Sequence, residues 1–165
     1  MRILGLDPGT AIVGYGIVEE RDGEVALVTY GALKTTPKDG DTAHRLQLIY
    51  QGMNELLAEF APDSAAVEQL FFGRNITTAI NVGQARGVLL LALANAGIPV
   101  AEYSPPKIKE AVSGYGNASK EQVQFMVQNL LGLEEIPKPD DAADGLAVAL
   151  THYQHSRQEM LYGEG

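Results

Sequence analysis

Four acidic side chains stand at positions that solubility alone does not explain. Asp7 closes the apolar run Ile3-Leu4-Gly5-Leu6, where a charge beside a core is costly unless something compensates it. Glu68 ends Ala65-Ala66-Val67 in the same way. Asp141 and Asp144 are three residues apart at the start of a helical segment, so both project from one face of its first turn. Each has a plainer reading when taken singly. Asp7 suits a turn before Pro8-Gly9, Glu68 a strand-end surface position, and Asp140, Asp141 and Asp144 a helix N-terminus whose dipole favours acids. Asp140 is left with that plainer role, as a cap or surface residue. The other four together form an all-oxygen donor set. With Cys 0 and only three His in the chain, a metal here must be a hard cation such as Mg²⁺ or Mn²⁺. Carboxylates that hold two ions about 3.5 to 4 Å apart suit hydrolysis of a phosphodiester.

The elements that must position these acids can be read from patterning. Arg2 to Asp7 predicts a strand stopped by Pro8-Gly9-Thr10, Gly14 to Glu19 a second, and Glu24 to Leu33 a third after the turn Arg21-Asp22-Gly23. Apolar residues at helical spacing from Leu46 to Phe60 predict a helix over 42–60. Ser64 to Gln69 predicts a strand, 76–96 a long apolar helix stopped by Gly97, and Ile98 to Tyr103 a fifth strand. Ser104-Pro105-Pro106 and the pair Ser119 and Gln122 mark two further helix starts, and a last helix is expected over about 139–155. This order implies an α/β fold with a five-stranded mixed sheet, an antiparallel meander of three strands followed by parallel strands, flanked by helices as in the ribonuclease-H-like layout. Ligands gather outside the carboxyl ends of such parallel strands. The strands of Asp7 and Glu68 are expected to be neighbours, which would make the two acids share a proton or hold a cation. The small residues Ala142, Ala143 and Gly145 would let the last helix approach the sheet and carry Asp141 and Asp144 towards them.

A chain of 165 residues, 45% hydrophobic, suits one domain, expected over 1–156 with a flexible tail over 157–165. No apolar run is expected to approach the roughly 20 residues of a membrane span, and the N-terminus lacks the pattern of a signal peptide, so a cytoplasmic protein without membrane contact is expected. The net charge of −9 argues against a polyanionic partner. Its distribution reverses that argument locally. From Gln69 to Lys120, five basic residues, Arg74, Arg86, Lys107, Lys109 and Lys120, face two acids, Glu102 and Glu110, a local +3 that leaves −12 for the rest. Such a segment suits a DNA-facing surface.

Several blocks carry a resemblance along nearly the whole chain. They are Gly5-Leu6-Asp7-Pro8-Gly9-Thr10 with Gly14-Tyr15-Gly16, Glu68-Gln69 with Phe71-Phe72, Gly83-Gln84-Ala85-Arg86-Gly87, and Asp141-Ala142-Ala143-Asp144-Gly145-Leu146-Ala147 with Thr151-His152. In this order and spacing the chain resembles the bacterial Holliday-junction resolvases of the RuvC family. The resemblance implies that Asp7, Glu68, Asp141 and Asp144 are catalytic and metal-binding, with two Mg²⁺ per site and Mn²⁺ as a substitute. It implies paired symmetric nicks in a four-way DNA junction during recombination and repair, giving 5′-phosphate and 3′-hydroxyl ends. It also implies a homodimer and, by resemblance alone, work alongside the RuvA and RuvB branch-migration proteins. The helix over 76–96 resembles the family's dimer helix, with Gly83 and Gly87 allowing close approach; packing on its own sheet fits equally. Phe71 matches an aromatic that stacks on exposed bases, with Phe72 as its neighbour and rival. Lys109 and Lys120 match lysines that contact phosphate, Lys107 rivals Lys109, and Arg74 is placed in the same DNA-facing set. His44, His152 and His155 read as structural or surface residues.

Three other functions share part of this signature. A phosphotransferase of the actin and hexokinase type begins with a similar Gly-x-Asp-x-Gly loop, but closes two lobes over ATP, for which one domain is too short. A nuclease acting on RNA would share the fold and acids, and the Gly-Tyr-Gly and Gln-Ala-Arg-Gly blocks weigh against it. A junction-binding module without catalysis would have no use for four acids.

Overall fold

The computed structural model describes residues 1–70 and 75–163. Phe71, Phe72 and Arg74 lie outside the described residues.

The sheet is built from β1 (Arg2–Asp7), β2 (Ile12–Arg21), β3 (Glu24–Lys34), β4 (Ser64–Glu68) and β5 (Val100–Tyr103), in the order β3-β2-β1-β4-β5. β1 pairs antiparallel with β2 and parallel with β4, so the strands of Asp7 and Glu68 are neighbours as their patterning implied. Alternation along the strands divides the interior into two cores. Leu4, Leu6, Val13, Ile17, Ala65 and Val67 face α1 (Thr42–Phe60) and α2 (Ile76–Asn95). Ile3, Val18 and Ala66 face the opposite way, towards α3 (Pro105–Ser113), α4 (Lys120–Leu131) and α5 (Asp140–Tyr162).

The helix starts follow local chemistry. Ser104 accepts a hydrogen bond from the Lys107 amide, 3.3 Å, at the start of α3. Ser119 and Gln122 exchange both bonds of a capping box at the start of α4. Asp140 is the first residue of α5 rather than its cap, since Pro139 occupies that position and no side chain caps the helix.

Two expectations change. First, α5 continues to Tyr162, beyond the helix end expected near 155. Arg157 holds that part of the helix down, donating to the Gly23 carbonyl at 2.8 Å and stacking over the Tyr153 ring. Second, α2 is a helix of 20 residues, long and apolar enough by length and composition to cross a membrane, against the expectation that no run would be. Ala79, Ala85, Leu89, Ala92 and Leu93 pack it into the core, while Ile76, Ile80 and Leu91 are exposed. The exposed positions repeat at helical spacing, so one apolar stripe of α2 remains open.

Candidate active site

Strand periodicity decides which way the two strand-end acids point. Residues two apart share a face, so Asp7 follows Ile3 and Gly5, and Glu68 follows Ala66, onto the side covered by α5. The register Leu6↔Val67 sets the two acids side by side at the carboxyl ends of parallel strands.

Glycines on both sides let α5 reach them. Gly5 of β1 stands opposite Gly16 of β2, and Asp7 opposite Gly14. A Cβ at Gly14 would overlap the Asp141 carbonyl, one at Gly5 the Gly145 carbonyl, and one at Gly16 the Leu146 side chain. From the helix side, a Cβ at Gly145 would lie 2.7 Å from the Tyr15 Cα. Backbone therefore meets backbone, and the helix cannot sit this close with any larger residue at these positions. The small residues of α5 were expected to permit the approach; the matching row of glycines on the sheet was missed as a packing device. Its signal was present, because Gly14 and Gly16 are two apart on a strand and so share a face.

The result is a compact acid cluster. One carboxylate oxygen from each of Asp7, Asp141 and Asp144 lies within 4.8 Å of the other two. Glu68 adjoins Asp7 and Asp144. Burial, then the charges of Glu68, Asp144 and Asp141, push the Asp7 carboxyl up to about 8, far above the usual carboxylate range. Burial also raises Glu68, as does the Asp144 charge, against the lowering effect of Lys109. Asp144 is raised by burial as well, partly offset by Lys120. Crowded carboxylates raised in this way mark a place where a cation would be stabilised. The all-oxygen donors and their spacing fit a divalent ion of the Mg²⁺ class.

Glu68 and Asp144 also line a cavity of about 260 Å³ with Lys109 and Lys120. The Lys120 ammonium lies 3.6 Å from Asp140 and 3.8 Å from Asp144, and these acids hold it above its ordinary pKa. Lys107 points elsewhere, into a separate cavity with Gln154 and His155. Of the two rival lysines, the fold brings Lys109 to the acids and takes Lys107 away. Arg86 forms an ion pair with Glu102, one of the segment's own two acids. His152 and His155 pack on Tyr103, whose hydroxyl lies 2.8 Å from the His152 Nδ1, and His44 lies 3.3 Å from Gln47 on the surface. These are structural positions.

Comparison with known proteins gives a consistent result. The family described as "Crossover junction endodeoxyribonuclease RuvC" matches residues 3–152. The chain is 58% identical over 152 residues to the protein of that description from Moorella thermoacetica, covering 92% of this chain and 90% of that one. It is 52% identical over 165 residues to the one from Thermotoga petrophila, covering 99% of each. Its structure is similar to that of T. thermophilus RuvC in complex with Holliday junction substrate, with a TM-score of 0.90, 39% identity and 96% of each chain covered. The yeast mitochondrial resolvase Ydc2, at 17% identity and a TM-score of 0.70, shares the fold.

Proposed function

The chain belongs to the RuvC family of crossover junction endodeoxyribonucleases, and we propose on that premise how its acids cut a four-way DNA junction. It is a nuclease, a hydrolase of phosphodiester bonds, and a Holliday-junction resolvase by family. The observation that carries the finer reading is the meeting of Asp7, Asp141 and Asp144 from β1 and α5 within 4.8 Å, with Glu68 beside Asp7 at the end of the neighbouring strand β4.

Asp7, Glu68, Asp141 and Asp144 would hold two Mg²⁺ between them, with Mn²⁺ as a substitute. The ions, when bound, supply an activated water and offset the charge on the leaving oxygen. The chain's own residues do the rest. Asp7 is held ionised when a cation takes its place among the carboxylates. Lys120, paired with Asp144, holds that carboxylate in orientation and presents positive charge to the cleft. Lys109, beside Glu68, counters the charge of the incoming phosphate. The products are a 5′-phosphate and a 3′-hydroxyl.

Symmetric nicks need two sites related by a dyad. The open stripe of α2 supports a homodimer, with Ile76, Ile80 and Leu91 exposed and the space above Gly87 free among the described residues. A Cβ at Gly83 would lie 3.5 Å from the Leu70 side chain, an ordinary contact. Stacking of Phe71 on crossover bases and phosphate contact by Arg74 follow from the family motif, as does coupling to RuvA and RuvB. A cytoplasmic location fits a protein that works on chromosomal DNA.

The test is cleavage of a synthetic four-way junction beside a matched linear duplex, with Mg²⁺ and with chelator. Paired nicks in the junction alone, abolished by chelator, are expected. Binding without cleavage under both metals would leave a junction-binding protein only.

A further inference from the structure

Lys109 and Lys120 serve one side of the acid cluster, and a second groove opens on the other. It has a volume of about 450 Å³ and is bordered by the Pro8–Ile12 loop, Arg45, Thr78, Asn81 and Asp141. The two cavities share no lining residue, and Asp144 and Asp141, three residues apart on α5, border one each. A strand whose scissile phosphate sits at the acids therefore has open space on both sides.

We propose that this groove takes a further backbone phosphate of the strand being cut, with Arg45 as its counter-charge. The inference rests on the nuclease reading above. The Arg45 guanidinium is held in place without being neutralised. Its Nε donates to the Thr35 hydroxyl at 2.9 Å and a terminal nitrogen to the Thr35 carbonyl at 3.5 Å. Thr35 is 4% exposed. Its hydroxyl donates to the Thr10 carbonyl at 2.7 Å and its amide to the Ala11 carbonyl at 2.9 Å. Thr10 in turn donates to the Asn81 carbonyl at 2.9 Å, tying the loop after Asp7 to α2.

Among the described residues no carboxylate lies within 4.0 Å of Arg45, whereas Arg2 and Arg21 are paired with Glu19 and Arg86 with Glu102. Arg157, also without a carboxylate at that distance, lies towards the far end of α5, bound to Gly23 and Tyr153. A half-buried guanidinium that is oriented by neutral oxygens keeps its full charge and free N–H groups for a bidentate anion, which is the recognition chemistry of phosphate. Thr35 makes Arg45 part of the same rigid unit as the loop beside Asp7, so a phosphate held there anchors the strand away from the reacting phosphate and adds binding common to ground and transition states.

The test compares full-length wild type, R45Q and R45K in junction cleavage under Mg²⁺ across a KCl series, reading KM and kcat separately. For R45Q a KM about tenfold higher is expected, the worth of one charge-assisted hydrogen bond. The slope of log KM against log[salt] should fall by about 1, while kcat stays within about twofold. R45K retains the charge and loses the Nε bond to Thr35, so it should restore the slope. Equal damage in both variants with an unchanged slope would reduce Arg45 to a brace for Thr35 and overturn the proposal. An R45Q protein indistinguishable from active wild type would also overturn it. Wild type that leaves the junction intact would instead sink the nuclease reading, and this inference with it.

Discussion

The two faces of the sheet are packed by opposite means. Towards α1 and α2, the contact is made by Leu4, Leu6, Ile17, Ile49, Met53, Leu89 and Leu93, long side chains that interdigitate and leave the backbones apart. Towards the start of α5, Gly5, Gly14, Gly16 and Gly145 bring backbone onto backbone. All four acids are on the second face. Long side chains can trade volume and relax when one is shortened; a glycine contact has nothing to give. A carboxylate cluster that must hold its spacing to fractions of an ångström is therefore built where position is set by backbone contact, while the other face is packed by longer apolar side chains.

The largest effect should come from the acids. D7N is expected to lower junction cleavage on the order of 10³-fold with junction affinity retained, measured by cleavage and by gel shift. Loss of binding as well would make Asp7 structural rather than catalytic.

Next come substitutions that set one face against the other. L89A, on the α2 face, should cost about 2 to 5 kcal/mol of stability yet leave cleavage per folded molecule near wild type. G145A should cost about 1 to 3 kcal/mol and yet reduce cleavage per folded molecule more than tenfold, because α5 must move away from Tyr15. Denaturant melts read with and without Mg²⁺ would show it. The Mg²⁺-induced gain should persist in L89A and shrink in G145A, and the reverse ranking would end the comparison.

A smaller effect concerns the Asp7 proton. The Asp7 carboxyl is raised from 3.8 to about 8, so the metal-free folded state binds that proton more tightly than the unfolded chain does. The stability this contributes is complete below the unfolded value and is lost as pH rises through about 8. Glu68 and Asp144 are raised too and act with the same sign. Metal-free protein should therefore have a lower Tm at pH 9 than at pH 6, with Mg²⁺ raising Tm more at pH 9. In D7N the slope should flatten, and a wild-type Tm without pH dependence in this window would mean that the carboxyl is not raised.

The smallest contrast is between two lysines on α3. K109Q is expected to reduce cleavage several-fold and K107Q to leave it within about twofold, since only Lys109 borders the acid cavity. Equal effects would mean that DNA reads the exposed surface of α3 rather than the cleft.

Much of this molecule follows from sequence patterning because the relevant forces are local. Alternation assigned the strands, helical spacing assigned α1 to its full extent, and Ser104 and Ser119 marked helix starts by capping chemistry that needs only the next three residues. The acids could be singled out because a charge at the end of an apolar strand is costly wherever the strand lies. The end of α5 was misjudged for the converse reason. Residues 157–162 read as part of a frayed tail, and the contact that holds Arg157 comes from Gly23 in the β2–β3 turn, which no local pattern reveals.

By itself, then, the sequence determined which residues could do the chemistry and which elements carry them, since residue type and period are properties of short stretches. Only the tertiary structure decided that burial and crowding raise the Asp7 carboxyl, that Lys109 rather than Lys107 meets the acids, and that Arg45 faces a groove beside Asp141. Those outcomes depend on burial, distance and direction between segments far apart in the chain, and such quantities exist only once the chain has folded.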